Sequence, residues 1–496
     1  MSEPDTTQHQ PSARVGWTIA KNAAFVTFGD VVLKAINFLF AVYVVRQLGD
    51  NRFGQYSIVL AFPGLFQIFA EFGMTQYVMR EIARDRSKAQ MYFWNLVVLR
   101  LILASISVIG ITASAAIAGY EPDLVFGIFL NTCTFLLAAF AVPLETILTA
   151  NERLDYVSAI AVVSRLAFTL VCTLFLLGGG GFLLLVLAGL LTYPLTIGMH
   201  VWAVRRHKLA PGHFQIDPRI WLRLIRSGLP FGVIMLTLTI SFSIDTVMLS
   251  MFEPHNVVGW YKAAYNLIPP LMLAYGGFNA AILPSLSRAY AQNRSEVERW
   301  YHRASKFILL LSLPLAVGGM LIAYPMILFL YDKQFLPSGL GLQILIWDIP
   351  FLMYSSFCGN MTTIIGEEKA AARIYTINAL ANIILNLYAI PRYGLIGAAL
   401  VTVVTDMIGA LQFHFLLRKK LRLPNMAWVR ARAILAATIM GLAVMSISSA
   451  SFFIQIAIGA IVYGGLVLAL RLIDQSEWDT LRRLLRRGHA VQPTRS

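Results

Sequence analysis

Four basic side chains interrupt the long apolar stretches of this sequence: Lys34, Arg100, Arg165 and Lys262. A charged group at membrane depth is costly, and it normally faces a partner or a water-filled cavity. Arg offers paired hydrogen bonds to a phosphate group, and Lys offers a point charge. The four cations therefore indicate an anionic ligand, and phosphate or pyrophosphate fits their chemistry.

Polar residues recur at helical spacing and form stripes along the predicted helices, and two of these stripes include one of the cations. Residues 30, 34 and 37 are spaced i, i+4 and i+7, so they share one face of a helix. Other stripes with spacings of four are Gln67 and Glu71, then Thr237, Ser241 and Asp245, then Lys262 and Asn266. We expect ligand binding by Lys34, Arg100, Arg165, Lys262, Asn37 and Asn266. Ion coupling is expected at Asp30, Glu71 and Asp245.

These charges also have structural interpretations. Lys34 can form an ion pair with Asp30 within one helix. Arg100 and Arg165 can extend toward the inner headgroups, and Lys262 can extend toward the outer ones, with their apolar stems left in the hydrocarbon. Asp245 is harder to explain in this way, because a polar stripe leads to it and water can follow that stripe.

The apolar stretches number fourteen, and each is long enough to cross a bilayer as a helix. They lie near residues 22–46, 54–78, 91–118, 124–148, 155–177, 181–204, 228–251, 257–283, 305–330, 339–364, 374–390, 394–417, 431–449 and 452–472. Of the 40 Lys and Arg residues, 32 lie on the side of the N-terminus, and only Arg46, Arg52, Lys333 and Arg392 lie on the opposite side. Because positively charged loops stay cytoplasmic, both termini are predicted to be inside.

The segments predict an all-α integral membrane fold, with two six-helix lobes around a central cavity and two C-terminal helices. The predicted parts are a tail (1–21), an N-lobe (22–206), a linker (207–227), a C-lobe (228–418), two helices (430–473) and a basic tail (474–496). Phe53-Gly54-Gln55-Tyr56 and Val258-Gly259-Trp260-Tyr261, which are 205 residues apart, indicate that the lobes are repeats. Repeated halves around a midplane site are typical of alternating access.

Composition excludes several other classes of protein. With 58% hydrophobic and 13% charged residues, the chain is not an ordinary soluble domain. The net charge of +15 reflects the one-sided loops rather than nucleic-acid binding. Neither a metal-ligand spacing nor a Walker motif is present, so we expect no metal, no cofactor and no ATP hydrolysis. The outer connections are short turns, which disfavours a membrane enzyme and favours a transporter.

Several runs of residues resemble the bacterial polysaccharide flippases of the multidrug/oligosaccharidyl-lipid/polysaccharide exporter superfamily. The runs are residues 382–399, Arg46-Gln47-Leu48-Gly49 with residues 53–56, Phe72-Gly73-Met74 with Arg80, and Asp245 with residues 258–261. The resemblance spans roughly residues 20–420. It implies that undecaprenyl-pyrophosphate-linked oligosaccharides are flipped from the inner to the outer leaflet of a bacterial cytoplasmic membrane.

The implied partners are membrane lipid, the lipid-linked glycan, and the polymerase and glycosyltransferases of the same pathway. Three alternatives stay open. A peptidoglycan-precursor flippase is closely related. A multidrug or organic-cation antiporter of the same superfamily would carry carboxylates and few cations in its cavity. A membrane polysaccharide polymerase or glycosyltransferase would need a large outer loop.

The charge distribution predicts sidedness that chemical labelling can measure. A single Cys placed in residues 253–256 should react with an impermeant thiol reagent from outside the cell, whereas a Cys in residues 207–227 should not. Labelling with the opposite pattern would invert the predicted topology and both termini with it.

Overall fold

The computed structural model describes residues 13–209, 212–292, 294–423 and 425–473. For residues 13–28, 30, 234, 238, 241, 281, 291, 292, 294 and 295 it describes the backbone alone. The predicted basic tail, residues 474–496, lies outside the described part of the chain. Throughout that part the regular secondary structure is helical.

The first group of helices runs to the middle of the chain: α1 (Ala13–Glu71), α2 (Met74–Arg84), α3 (Ala89–Ile117), α4 (Pro122–Ala150), α5 (Leu154–Leu177), α6 (Phe182–Arg206), α7 (Trp221–Phe252) and α8 (His255–Tyr265). The rest are α9 (Ile268–Leu271), α10 (Leu273–Gln292), α11 (Arg294–Leu321), α12 (Ala323–Leu330), α13 (Ser338–Leu345), α14 (Asp348–Ile364), α15 (Glu368–Lys420), α16 (Ala427–Ser446) and α17 (Phe452–Ala469). The Pro269-Pro270 pair breaks the eighth predicted segment, as expected from its missing N–H groups.

The ranges of α1 and α15 each contain two helical arms that are joined by a sharp turn. Straight, the 53-residue α15 would be about 80 Å long, far beyond the roughly 30 Å of hydrocarbon in a bilayer. Its chain turns at Gly394 (φ 52°), and the Nδ2 of Asn382 lies 3.5 Å from the Oγ1 of Thr405 on the returning arm. α1 turns at Gly49 (φ 73°) in the same way. Glycine adopts these positive φ values without a Cβ clash.

The number of membrane crossings depends on these hairpins. In the described residues, eleven helices are long and apolar enough to cross a membrane, or twelve if the bent pair α13 and α14 is one span. The predicted fourteen would require α1 and α15 each to cross twice, and it stays a prediction. The all-α membrane character itself agrees with the sequence.

The chain divides into two compact units, and the boundary along the sequence lies between Lys262 and Ala263. α7 therefore belongs with the first unit, in which it packs against α1 and α2. The predicted boundaries placed α7 in a C-lobe beginning at residue 228. The predicted lobes are defined by their movement relative to each other, and compactness within one structure does not test movement. The boundaries 22–206, 207–227 and 228–418 therefore stay predictions.

Within the first unit, α1 and α8 approach each other at a pair of glycines. A Cβ built on Gly54 would overlap the carbonyl oxygen of His255, and one on Gly259 would overlap the carbonyl oxygen of Asp50. The Nε1–H of Trp260 also donates a 3.0 Å hydrogen bond to Asp50. Gly54 and Gly259 are 205 residues apart, and so are Asp50 and His255, so the two backbone contacts correspond in the predicted repeats and the crossing is reciprocal. Only glycine permits this approach of the two backbones.

We expect Gly54→Ala to destabilise the protein because the methyl group must displace backbone atoms, at a cost of about 1–3 kcal/mol or more. Gly110→Ala is the matched control, since a Cβ at Gly110 on α3 meets no atom within 4 Å among the described residues. Thermal unfolding of the detergent-solubilised protein compares the two variants. Equal midpoints would show that the Gly54 contact is not needed.

Candidate functional site

A polar cavity of about 450 Å³ lies in the first unit, between the two arms of α1 and the helices α4, α5 and α6. Its polar lining is Asn37, Tyr56, Asn131, Thr134, Ser164, Arg165, Thr192, Tyr193 and Thr196. No Asp or Glu is among the described residues that line it. The lining thus combines one cation with hydroxyl and amide groups.

Arg165 is the charged centre of this cavity. The α5 helix supplies it, and its guanidinium carbon lies 5.2 Å from the ring centroid of Phe40 and 5.0 Å from that of Phe168. Its Nε is buried and has no hydrogen-bond partner among the described residues. Aromatic faces stabilise a cation without neutralising it. Arg165 therefore keeps both charge and hydrogen-bonding capacity for a ligand.

Hydrogen bonds hold several neutral polar groups of the lining in place. The Nδ2 of Asn131 donates a 2.9 Å hydrogen bond to the carbonyl of Val59. The hydroxyl of Thr196 donates a 2.8 Å bond to that of Ser164. Asn37 of α1 also lines the cavity. Such groups can bind the hydroxyls of a sugar.

Arg100 lies outside the cavity lining and is paired. Its Nη1 lies 3.3 Å from Oε2 of Glu71 and donates a 2.7 Å hydrogen bond to Thr75. Its side chain is buried, whereas Glu71 is partly exposed. Removing one member of a buried pair leaves the other charge unpaired. Arg100, which was predicted to bind the anion, and Glu71, which was predicted to couple ions, are thus partners of each other. Their ion pair joins α3 to the end of α1.

Asp245 and Lys262 form a second acid–base group, between α7 and α8. Asp245 is buried, and the Tyr261 hydroxyl donates a 2.7 Å hydrogen bond to its Oδ2. Lys262 is half-buried within electrostatic reach of Asp245. The sequence placed these two residues near each other, and the structure does the same. Their charges offset each other in this arrangement.

The other predicted residues are dispersed. Lys34 is exposed and is not in the cavity lining. Asn266 belongs to the second unit, at the break between α8 and α9. The side chains of Asp30 and Ser241 are outside the described atoms. Of the four cations, Arg165 alone is in the described lining of this cavity, and Arg100 and Lys262 each have an acid beside them.

Sequence reasoning missed several groups. Tyr193 lines the cavity and is within electrostatic reach of both Arg100 and Glu145, and Glu145 in turn lies near the buried His200. Thr192, Thr196 and His200 repeat at intervals of four on α6, a signal available in the sequence. Lys306, counted with the loop cations, is buried in α11. Among the described residues, no group of His, Cys, Asp and Glu could hold a metal ion.

Comparisons with known proteins agree with this architecture. The family described as polysaccharide biosynthesis protein matches residues 19–289, and the MatE family matches residues 230–388. Agl15 of Haloferax volcanii, a probable low-salt glycan biosynthesis flippase, is 23% identical and aligns over 94% of this chain and 99% of its own length. A putative O-antigen transporter of Shigella flexneri is 22% identical over 80% of this chain and 97% of its own.

A solved structure of the lipid II flippase MurJ, in an inward closed conformation, matches with a TM-score of 0.75 at 18% identity, covering 91% of this chain and 99% of that one. At this identity the likeness shows the fold, and it confirms the predicted multi-pass helical class. The prediction of a transporter rather than an enzyme is also confirmed, since the relatives are named flippases and transporters. A bacterial source does not follow, because the Haloferax volcanii relative is archaeal.

The family match covers more than half of the chain. The protein therefore belongs to the polysaccharide biosynthesis protein family, within the multidrug/oligosaccharidyl-lipid/polysaccharide exporter superfamily.

Proposed function

We propose that this protein flips undecaprenyl-pyrophosphate-linked oligosaccharides from the inner to the outer leaflet of the cytoplasmic membrane by alternating access. The observation that carries the proposal is Arg165, a cation held by two aromatic rings in a polar cavity without a lining acid. A guanidinium in this setting suits a pyrophosphate, which offers several acceptor oxygens. The names of the glycan flippase and O-antigen transporter relatives support the same substrate class.

Each part of such a substrate has a matching environment in this proposal. The pyrophosphate binds Arg165, and the glycan contacts the amide and hydroxyl groups of Asn37, Asn131 and Thr134. The polyprenyl tail stays in lipid. Lys34, on the same arm of α1 as Asn37, attracts the anion as it approaches. Arg100 and Lys262 act through their acid partners and fix the helices around the site.

The cavity chemistry disfavours an organic-cation antiporter. A cationic drug would meet the charge of Arg165 and would find no carboxylate in the described lining. The substrate of a peptidoglycan-precursor flippase would present the same pyrophosphate to Arg165, so the glycan is what separates that alternative from the proposed substrate.

We further propose that both termini are cytoplasmic, and that pathway glycosyltransferases and a polymerase supply and consume the lipid-linked glycan.

Membrane potential favours outward movement of this substrate. A pyrophosphate diester carries two negative charges. Moving each of them out of an electrically negative interior is favourable by roughly 2.3 kcal/mol per 100 mV. Export therefore does not require an ion gradient. Resetting of the empty carrier is the step at which an ion can be coupled.

We expect Arg165→Gln to lower the flipping rate about tenfold or more in proteoliposomes, because a charged hydrogen bond contributes about 1.5–3 kcal/mol. Arg165→Lys should lie between this variant and the wild type. Arg153→Gln is the matched control, since Arg153 is exposed just before α5. The assay follows a labelled undecaprenyl-pyrophosphate oligosaccharide, with lipid II as the second substrate.

A wild-type rate for Arg165→Gln would remove Arg165 from the site. Faster flipping of lipid II than of the oligosaccharide would replace the proposed substrate with the peptidoglycan precursor. Failure of the wild type to flip either lipid, together with saturable binding of an organic cation, would favour the antiporter.

For coupling we propose Asp245, whose charge is offset by Lys262 and whose Oδ2 accepts from Tyr261. Asn at this position imitates the protonated acid. We expect Asp245→Asn to bind the lipid-linked substrate, yet to lose turnover and substrate-dependent proton movement in proteoliposomes. Asp123→Asn, at an exposed position in the first turn of α4, is the control. Unchanged flipping across imposed pH gradients would make Asp245 structural. Asp30 and Glu71 stay secondary candidates.

A further inference from the structure

The second unit contains a cavity of its own. It has a volume of about 270 Å³ and lies between α11, α14, the second arm of α15 and the start of α16. None of the described residues that line it is Asp or Glu. The function proposed above makes no use of this cavity.

One end of this cavity is polar and positively charged. The hydroxyl of Tyr354 lies 2.8 Å from Nδ1 of His414 and 2.5 Å from the hydroxyl of Tyr301. Arg430, an exposed residue in the first turn of α16, lines the mouth within electrostatic reach of Tyr301 and His414. In the described part of the chain no acid lies within ion-pair distance of Arg430. Its charge is therefore available to a ligand.

The rest of the cavity is a long apolar wall. The lining residues of α11 run from Tyr301 to Ser312, which is roughly 16 Å along the helix axis. Ile308 and Leu309 lie along this face, and the facing helices add residues such as Phe351 and Leu411. The cavity therefore combines a cationic end with an apolar channel that leads toward membrane depth.

One hydroxyl in the channel lacks a partner. The Oγ atom of Ser312 is buried and has no hydrogen-bond partner among the described residues. A buried polar atom without a partner is unfavourable by about 1–3 kcal/mol. Ser312 lines the cavity, so a ligand or water that enters it can form a hydrogen bond with this hydroxyl.

We propose that this cavity binds an anionic phospholipid. Its phosphate contacts Arg430, with His414 and Tyr354 beside it, and one acyl chain extends along α11. Arg430 lies at the end of the unit where α15 finishes in Arg418, Lys419 and Lys420, the end predicted to face the cytoplasm. The lipid therefore comes from the inner leaflet.

The apolar wall favours a lipid over a small water-soluble anion. Inorganic phosphate can occupy the mouth near Arg430, but it would leave the channel beside Ile308 and Leu309 filled with water or empty. An acyl chain removes this apolar surface from water, which is favourable by roughly 25 cal/mol for each Å². The same phosphate chemistry thus has two sources, and an experiment can separate them.

Native mass spectrometry of the full-length protein in detergent tests the proposal. We expect phosphatidylglycerol to bind at least tenfold more tightly than phosphatidylcholine, and Arg430→Gln to abolish most of this difference. Arg432→Gln is the matched control: it lies two residues along α16, where its Nη1 donates to the carbonyl of Leu470 and its guanidinium lies near the Trp428 ring. That variant should change phosphatidylglycerol binding less than twofold.

A second variant tests the channel and leaves the charge in place. Leu411→Trp fills the channel from an exposed lining position, and it should weaken phosphatidylglycerol binding but leave inorganic phosphate binding unchanged. Equal binding of the two phospholipids, or equal losses in the Arg430 and Arg432 variants, would overturn the proposal. Full competition by inorganic phosphate would replace the lipid with a free anion. Binding is measured without flipping, so the result does not depend on the proposed transport function.

Discussion

A charge placed among apolar helices must be stabilised where it stands, and this constraint governs the interior of the first unit. The protein meets it in two ways. Arg100 and Lys262 have acids beside them, Glu71 and Asp245, whereas Arg165 lies near the faces of two aromatic rings. Only the second way leaves the cation without a neutralising acid. The arrangement therefore separates the charges of Arg100 and Lys262, which hold helices together, from the charge of Arg165, which a ligand can use.

The sequence predicted the helices well because apolar length and proline position act locally. The repeated tetrapeptides around Gly54 and Gly259 are also visible without coordinates, whereas the contact between the two segments is not. Which charges pair could not be predicted, because pairing depends on how helices pack. Glu71 and Arg100 lie on different helices, and the Phe40 ring that holds Arg165 comes from α1. Spacing within one helix carries no information about such contacts.

The two cavities surround an Arg side chain with different chemistry. Around Arg165 the walls carry amides and hydroxyls, which suit a hydrated, sugar-bearing anion. Beside Arg430 they are largely apolar, which suits an anion attached to a hydrocarbon chain. Both sites expose a guanidinium, and it is the neighbouring residues that distinguish the molecules that each can hold.

The crossing at Gly54 and Gly259 also has a consequence for biosynthesis. The two backbone segments that form it are synthesised at different times, because the ribosome must add about two hundred residues after Gly54 before it reaches Gly259. Until then the turn around Asp50 has no partner for its backbone in α8. The first unit therefore completes its fold only when more than half of the chain has been synthesised, and a nascent chain released before that point lacks the contact that closes it.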